Sequence, residues 1–336
     1  MRYIQTAAIF LLASVSIVIL GCTGKKEEGG TSDHTPQKYK VAGIVFQEDQ
    51  FFRLVQIGMK DAALKYGIEL LEGNSDNKPD KEIQLVNTYI SNKVDAIVIA
   101  PLSATGSLAA LKRARDNGIK VIVYNNLLDN EIVSASLESD QRGLGSESGK
   151  EARKYIQEKL HGRASVAILA FKSQLPEQSN ARSEGFKQEI SELPGVKIIS
   201  EQDAWLAEMA VKKAGDIITA NPVVDIIWAA NEGGTVGSVM AVKNAGKSGK
   251  IAVFGTDISN QLIDFLLAQD NILQAVTGQR PFDMGFSSVE TAVKVLKKDT
   301  VERTIMMPGV LLSRSDSSFV REFRKNYNEM ISRDSN

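Results

Sequence analysis

Cysteine is almost absent from this chain. Cys22 is the single thiol, so no disulfide can form within the molecule and a zinc–thiolate site has no second sulfur. Histidine is nearly as scarce: His34 lies in a polar stretch near the start, and His161 precedes Gly162 at a predicted helix end. Nucleophilic chemistry built on cysteine or histidine therefore has almost no raw material, and only a carboxylate pair could act in its place. A basic excess is missing too. Forty Lys and Arg stand against 41 Asp and Glu, for a formal net charge of −1, which argues against nucleic acid as a partner. Neither GxGxxG nor GxxxxGK[ST] occurs, so no phosphate cradle of those kinds is encoded. The stretch Asp76-Asn77-Lys78-Pro79-Asp80 lacks the spacing and closing Glu of a 12-residue calcium loop. No cofactor and no metal are expected. The apolar stretch 7–20 is shorter than the ~20 residues that a membrane-spanning helix needs.

That stretch has a different character. It follows Arg2 and closes with Ile19-Leu20-Gly21-Cys22. It resembles a bacterial lipoprotein signal, whose cysteine is lipidated and becomes the first residue of the mature protein. The other reading is an ordinary signal peptide with a chance cysteine. The expected organisation is a signal at 1–21, lipidation at Cys22, a flexible polar tether at 22–38, and a folded part from Tyr39 that lies outside the cytoplasm, anchored to the membrane.

The folded part has ordinary globular composition, 43% hydrophobic and 24% charged. Short apolar runs at 41–46, 68–71, 96–100 and 121–124 alternate with helical patterns at 52–66, 83–91 and 107–116. Runs at 166–169, 196–199, 226–229 and 251–254 repeat the alternation, with helices predicted around 183–191, 207–220 and 235–244. Continuous apolar strands separated by helices predict parallel sheets covered on both faces, and hence an α/β, doubly wound fold. The halves match in detail. Val94-Asp95-Ala96-Ile97-Val98-Ile99 is similar to Val224-Asp225-Ile226-Ile227-Trp228-Ala229, and the step from Asp95 to Lys120 equals that from Asp225 to Lys250. One unit is used twice, as two lobes. Further on, 282–297 is predicted as an amphipathic helix, 305–312 as an extended run broken by Pro308-Gly309, and 319–330 as a terminal helix.

In open parallel sheets, ligands bind outside the carboxyl ends of the strands. There this chain carries Gln47 to Phe52, Pro101 to Ser103, Asn125 and Asn126, Asn231 to Gly234, Gly255 to Asp257, and Gln279-Arg280. Planar amides and carboxylates can each engage two neighbouring hydroxyls, and aromatic rings cover the C–H faces of a sugar. The set suits a neutral polyhydroxylated ligand. Each residue also has a plainer reading. Phe51 and Phe52 could be core, Asn126, Asn231 and Asp257 could be helix N-caps, and Trp205 could be core.

These stretches, with Gly58 to Ala63, Ser139-Asp140, Arg182 to Phe186 and Gln279 to Gly285, carry a resemblance to the ribose/galactose-type sugar-binding proteins that feed ABC importers. It extends from about residue 39 to 312. It implies a type I periplasmic binding fold: lobes 39–139 plus 280–308 and 140–279 plus 309–336, crossing near Ser139-Asp140, Gln279-Arg280 and Pro308-Gly309. It further implies a monomer that binds a sugar or polyol, works with a membrane permease, and is not an enzyme. By the same resemblance, Phe51 and Phe52 pack on the sugar beside Asp49, Trp205 stacks on the opposite face, and Asn231, Asp257 and Gln279 meet its hydroxyls. Arg182 matches the arginine of the family's Arg-x-x-Gly-Phe turn. Asn125-Asn126 stand where ribose-type members have Asp-Arg, which argues against ribose itself. A signal receptor on the same fold and a sugar-processing enzyme are the alternatives.

Overall fold

The computed structural model describes residues 38–333 except 104, 127, 129 and 130. The predicted signal, Cys22 and all of the tether but Lys38 lie outside the described residues. From Tyr39 onward the chain builds β1 (Lys40–Val45), α1 (Gln50–Tyr66), β2 (Glu69–Asn74), α2 (Pro79–Ser91), β3 (Ala96–Ile99), α3 (Leu108–Asp116), β4 (Lys120–Tyr124) and β5 (Ala135–Ser139). Local chemistry sets these limits. Asp49 caps α1, accepting the Phe52 N–H at 2.9 Å, and Gly67 ends it in the left-handed conformation at φ 64°. Pro79 opens α2, where its missing N–H costs nothing.

Strand periodicity divides the interior into two layers. Val41, Val45, Ala96, Val98, Ile122 and Tyr124 point to one face of the sheet, and Ala42, Ile44, Ile97, Ile99, Val121 and Val123 to the other. Both faces are buried, which is why these strands read as unbroken apolar runs rather than alternating ones.

The chain then crosses at Asp140 and builds a second lobe: α4 (Gln141–Lys159), β6 (Arg163–Ala170), α5 (Pro176–Ser191), β7 (Gly195–Asp203), α6 (Ala207–Ala220), β8 (Ile226–Ala229), α7 (Glu232–Asn244), β9 (Ala252–Thr256), α8 (Asn260–Leu267) and β10 (Leu273–Gly278). It returns to the first lobe for α9 (Pro281–Leu296) and β11 (Thr304–Met307), and crosses again through Pro308-Gly309 to β12 (Val310–Ser313). The sheets run β11-β5-β4-β3-β1-β2 and β12-β10-β9-β8-β6-β7, the same order strand for strand. They differ at one edge, where β11 is parallel to β5 but β12 is antiparallel to β10.

Helices are exchanged at the crossings. α9 leaves the second sheet and packs on α1 of the first; α4 leaves the first and packs on α5 of the second. Both pairs touch backbone to backbone. A β-carbon on Gly58 or Gly285 would lie within 3.0 Å of the carbonyl oxygen of Phe282 or Val55, and one on Gly145 or Gly185 would meet that of Arg182 or Arg142. The terminal helix α10 (Ser317–Ser332) is shared: Val320 is buried in the core of the second lobe, while Tyr327 packs with Leu54 and Ile57 of α1. Assigning 309–336 to one lobe therefore misses half of what α10 touches.

The crossings should dominate sensitivity to small substitutions. Gly58→Ala and Gly145→Ala are each expected to lower stability by about 1–3 kcal/mol through overpacking. Gly215→Ala, on α6 with nothing within 4 Å, should leave stability unchanged or raise it by up to ~1 kcal/mol. Urea unfolding measures all three, and unchanged midpoints for Gly58→Ala and Gly145→Ala would contradict the packing.

Candidate functional site

The carboxyl ends of both sheets face one another across a cleft of about 1290 Å³. From the first lobe, Phe46, Asp49, Phe51, Phe52, Asn125 and Asn126 line it; from the second, Gln178, Glu232, Asp257 and Asn260; from the crossing segments, Gln279 and Arg280. Seven of the predicted residues are thus brought together: Asp49, Phe51, Phe52, Asn125, Asn126, Asp257 and Gln279.

Their surroundings determine what each can offer. Asn125 follows β4 at φ 67°, a left-handed position that asparagine tolerates, and is tied by its N–H to Leu137 O at 2.9 Å. Asn126 donates its side-chain amide to Pro101 O at 2.9 Å. That loop is in turn held by Glu82, which is 2% exposed and accepts from the Leu102 N–H at 2.8 Å and from the Ser107 hydroxyl. At the hinge, Gln279 accepts the Ser139 hydroxyl at 2.8 Å on Oε1, so Nε2 remains to donate. Asp49 caps α1 with Oδ1 and accepts Gln47 Nε2 on Oδ2. The aromatic wall is a cluster: Phe46 and Phe52 lie 4.4 Å apart, Phe51 and Phe52 5.2 Å apart. Phe52 is only 3% exposed, so the accessible ring surface belongs mainly to Phe46 and Phe51.

Asp257 also sits in the left-handed region, at φ 70°. Its Oδ1 accepts Arg182 Nη1 at 3.1 Å and its Oδ2 accepts the Glu232 N–H at 3.0 Å. A carboxylate offers about four lone-pair sites, so two remain for a ligand.

Three of the predicted residues lie outside the cleft lining. Arg182, 2% exposed, does not line the cleft; it binds Gln141 Oε1, Ala230 O and Asp257 from behind, because it sits on α5 where α4 packs over it. Asn231 does not line the cleft either. Its Oδ1 caps α7 through the Gly234 N–H at 3.0 Å and its Nδ2 donates to Trp205 O at 2.8 Å. Trp205 is half-buried against the core cluster of Phe186 and Trp228 and lies outside the lining as well. Conversely, Phe46, Gln178, Glu232 and Asn260 were not singled out as ligand-binding residues. Phe46 and Glu232 were visible next to chosen strand ends; Gln178 lies inside α5, where no strand-end rule reaches it.

A sequence profile described as the periplasmic binding protein domain matches residues 43–300. The chain belongs to the periplasmic binding protein family. The ABC transporter periplasmic-binding protein YphF of Escherichia coli K12 is 28% identical over 289 residues, covering 83% of this chain and 88% of that one. The D-ribose/D-allose-binding protein of Pseudomonas aeruginosa is 27% identical over 307 residues, covering 89% and 94%. Among solved structures, an Actinobacillus succinogenes ABC transporter solute-binding protein with bound D-allose superposes with a TM-score of 0.71 at 25% identity, covering 84% of this chain and all of that one. This periplasmic binding protein is accordingly a solute-binding protein, not an enzyme, and acts outside the cytoplasm. No helix among its described residues is long and apolar enough to cross a membrane.

Contact and support residues should separate experimentally. Asn125→Gly removes the amide but keeps the left-handed backbone; it should weaken binding of a cleft ligand by about 0.5–1.5 kcal/mol with little change in stability. Arg182→Met strands the Asp257 carboxylate. Removing one partner of a buried pair costs about 3–5 kcal/mol, and Asp257 retains 26% side-chain exposure, so about 2–3 kcal/mol is expected. Calorimetric titration and urea unfolding of both variants test this; a destabilised Asn125→Gly beside an Arg182→Met of native stability would contradict it.

Proposed function

We propose that this protein is a membrane-anchored lipoprotein that captures a neutral sugar or polyol between its lobes and delivers it to an ABC importer. The observation that carries the reading is the cleft's division of labour. Amides from the first lobe, a carboxylate from the second and an amide at the hinge converge on one volume beside an aromatic wall. Such groups exchange hydrogen bonds with ring hydroxyls, and the Phe46–Phe51 surface excludes water from a C–H face. The names of the relatives, with ribose and allose among their ligands, agree.

Charge narrows the ligand. Among the described lining residues the one cation is Arg280, paired with Asp283 at 2.6 Å, while Asp49 and Glu232 add negative charge. An anionic sugar would enter a negative cleft with no unpaired cation to meet it. Volume points to the mechanism. Small-molecule sites occupy about 300–1,000 Å³, so this cleft is wider than a bound monosaccharide needs. Closure of the lobes around the ligand would remove the excess. Ligand then shifts the population toward the closed form, whose two lobe surfaces a permease can recognise together.

Two measurements test the reading. Screened at 100 times its Kd, a true ligand should add about 2.7 kcal/mol of stability and raise Tm. Neutral pentoses, hexoses or polyols are expected to do so, and sugar acids and sugar phosphates are not; a screen in which only the anions shift Tm would overturn it. For the anchor, cells grown with labelled palmitate should label the protein, and Cys22→Ser should abolish the label. Undiminished labelling of Cys22→Ser would remove the lipoprotein assignment.

A further inference from the structure

The terminal helix lines one side of the cleft through Phe319, Phe323, Tyr327 and Met330 and touches both lobes. Its first half is built into the second lobe. Val320 is 0% exposed within the cluster that holds Leu262, Leu266 and Leu312, and Arg324 Nη2 reaches Asp264 of α8 at 2.8 Å. Its second half rests on the first lobe. Tyr327 is 8% exposed against Leu54 and Ile57, with Met330 and Ile331 beside it, and Arg333 Nη1 reaches Asp61 of α1 at 3.0 Å. At the midpoint, Phe323 packs against both clusters, and the Tyr327 phenol faces Gln50 of α1 and Glu232 of α7, one from each lobe. Burial, with Glu232 adding to it, holds that phenol above its ordinary pKa.

We propose that α10 is a strap that sets how far the lobes open and thereby tunes the apparent affinity for ligand. A 16-residue helix is a stiff rod of about 24 Å. A rod anchored at both ends to two bodies cannot follow both when they rotate about the segments at 140, 279–280 and 308–309. One contact must slide or part. The weaker is the one on the first lobe, because Met330 and Ile331 are only partly buried whereas Val320 is fully enclosed. In the wide-cleft arrangement this contact is intact, so it favours the open form. Apparent affinity scales with the fraction of molecules able to close, so loosening the strap tightens binding.

This rests on the capture reading, and the test separates the two. Ile331→Ser combined with Arg333→Ser weakens the first-lobe contact without touching the cleft lining or the Val320 anchor. A chain ending at Met330 removes Ile331 and Arg333 and keeps Val320, Arg324 and the lining residues Tyr327 and Met330. In X-ray scattering without ligand, both should show a smaller radius of gyration than the parent, displaced toward its sugar-bound value. Titration with a sugar that the parent binds should give affinities about three- to tenfold tighter. An unchanged radius with unchanged affinity, or a weaker affinity, overturns the strap. If the parent binds no sugar, the capture reading fails, and the ligand-free scattering still decides the strap: a more open or unchanged variant rejects it.

Discussion

Backbone contact between exchanged helices is the constraint on which the remaining architecture depends. Each lobe carries one helix that continues from its own first strand and one that arrives across the hinge, and the two lie so close that only glycine fits between them. Gly58 and Gly285 seat α9 on α1; Gly145 and Gly185 seat α4 on α5. Both arriving helices begin directly at a crossing, at Gln141 and at Pro281. Seating them therefore fixes where the chain leaves the hinge, and with it the line along which the cleft opens. Interiors pack densely and repack in discrete steps, so the capture proposed above would have the lobes move as bodies, with deformation concentrated in the few crossing residues.

Within that frame the cleft is furnished from behind. Arg182 never meets the cavity, yet its fork ties the ends of β8 and β9 to the start of α4 and aims Asp257 outward. Glu82 does the same for the first lobe through the loop that holds Asn126. Asn231 spends its amide on the α7 cap and on Trp205 O, locking two segments together. Polar side chains held in this way lose little freedom when a ligand arrives, so more of each hydrogen bond survives as affinity. An empty cleft leaves them solvated, and on the proposed reading a polyol would replace that water with partners from both lobes at once.

Much of this was readable from residue order, for identifiable reasons. Strands buried on both faces appear as unbroken apolar runs, and β1, β3, β4, β6, β8 and β9 were all found that way. Turn chemistry marked Gly67 as the end of α1. The elements that escaped notice lack such signals. α4, with Ser146, Glu147, Ser148, Lys150, Glu151 and Arg153 between Leu144 and Ile156, is too polar to announce an apolar face, because Gly145, Ser148, Gly149 and Ala152 make much of its buried contact. β5, Ala135–Ser139, carries a single large apolar residue, Leu137.

The site divided along a similar line. Strand-end position is a property of topology, so Asn125, Asn126, Asp257 and Gln279 were found from the pattern. Side-chain direction is a property of packing, and Arg182 and Trp205 turned inward for reasons that only their neighbours supply. Asn231 shows a local rule prevailing: an Asn three residues before a glycine N–H at a helix start caps that helix. The double footing of α10 was invisible, since nothing in the run from Phe319 to Met330 says that its two ends meet different lobes.

The account's central claim is that one ligand engages both lobes at the same time. Hydrogen–deuterium exchange of the full protein, with and without its best sugar, tests this most directly. Bound sugar should slow exchange together at 46–52 in the first lobe, at 255–261 in the second and at the crossing near Gln279. Protection confined to one lobe, or appearing away from the cleft, would contradict it.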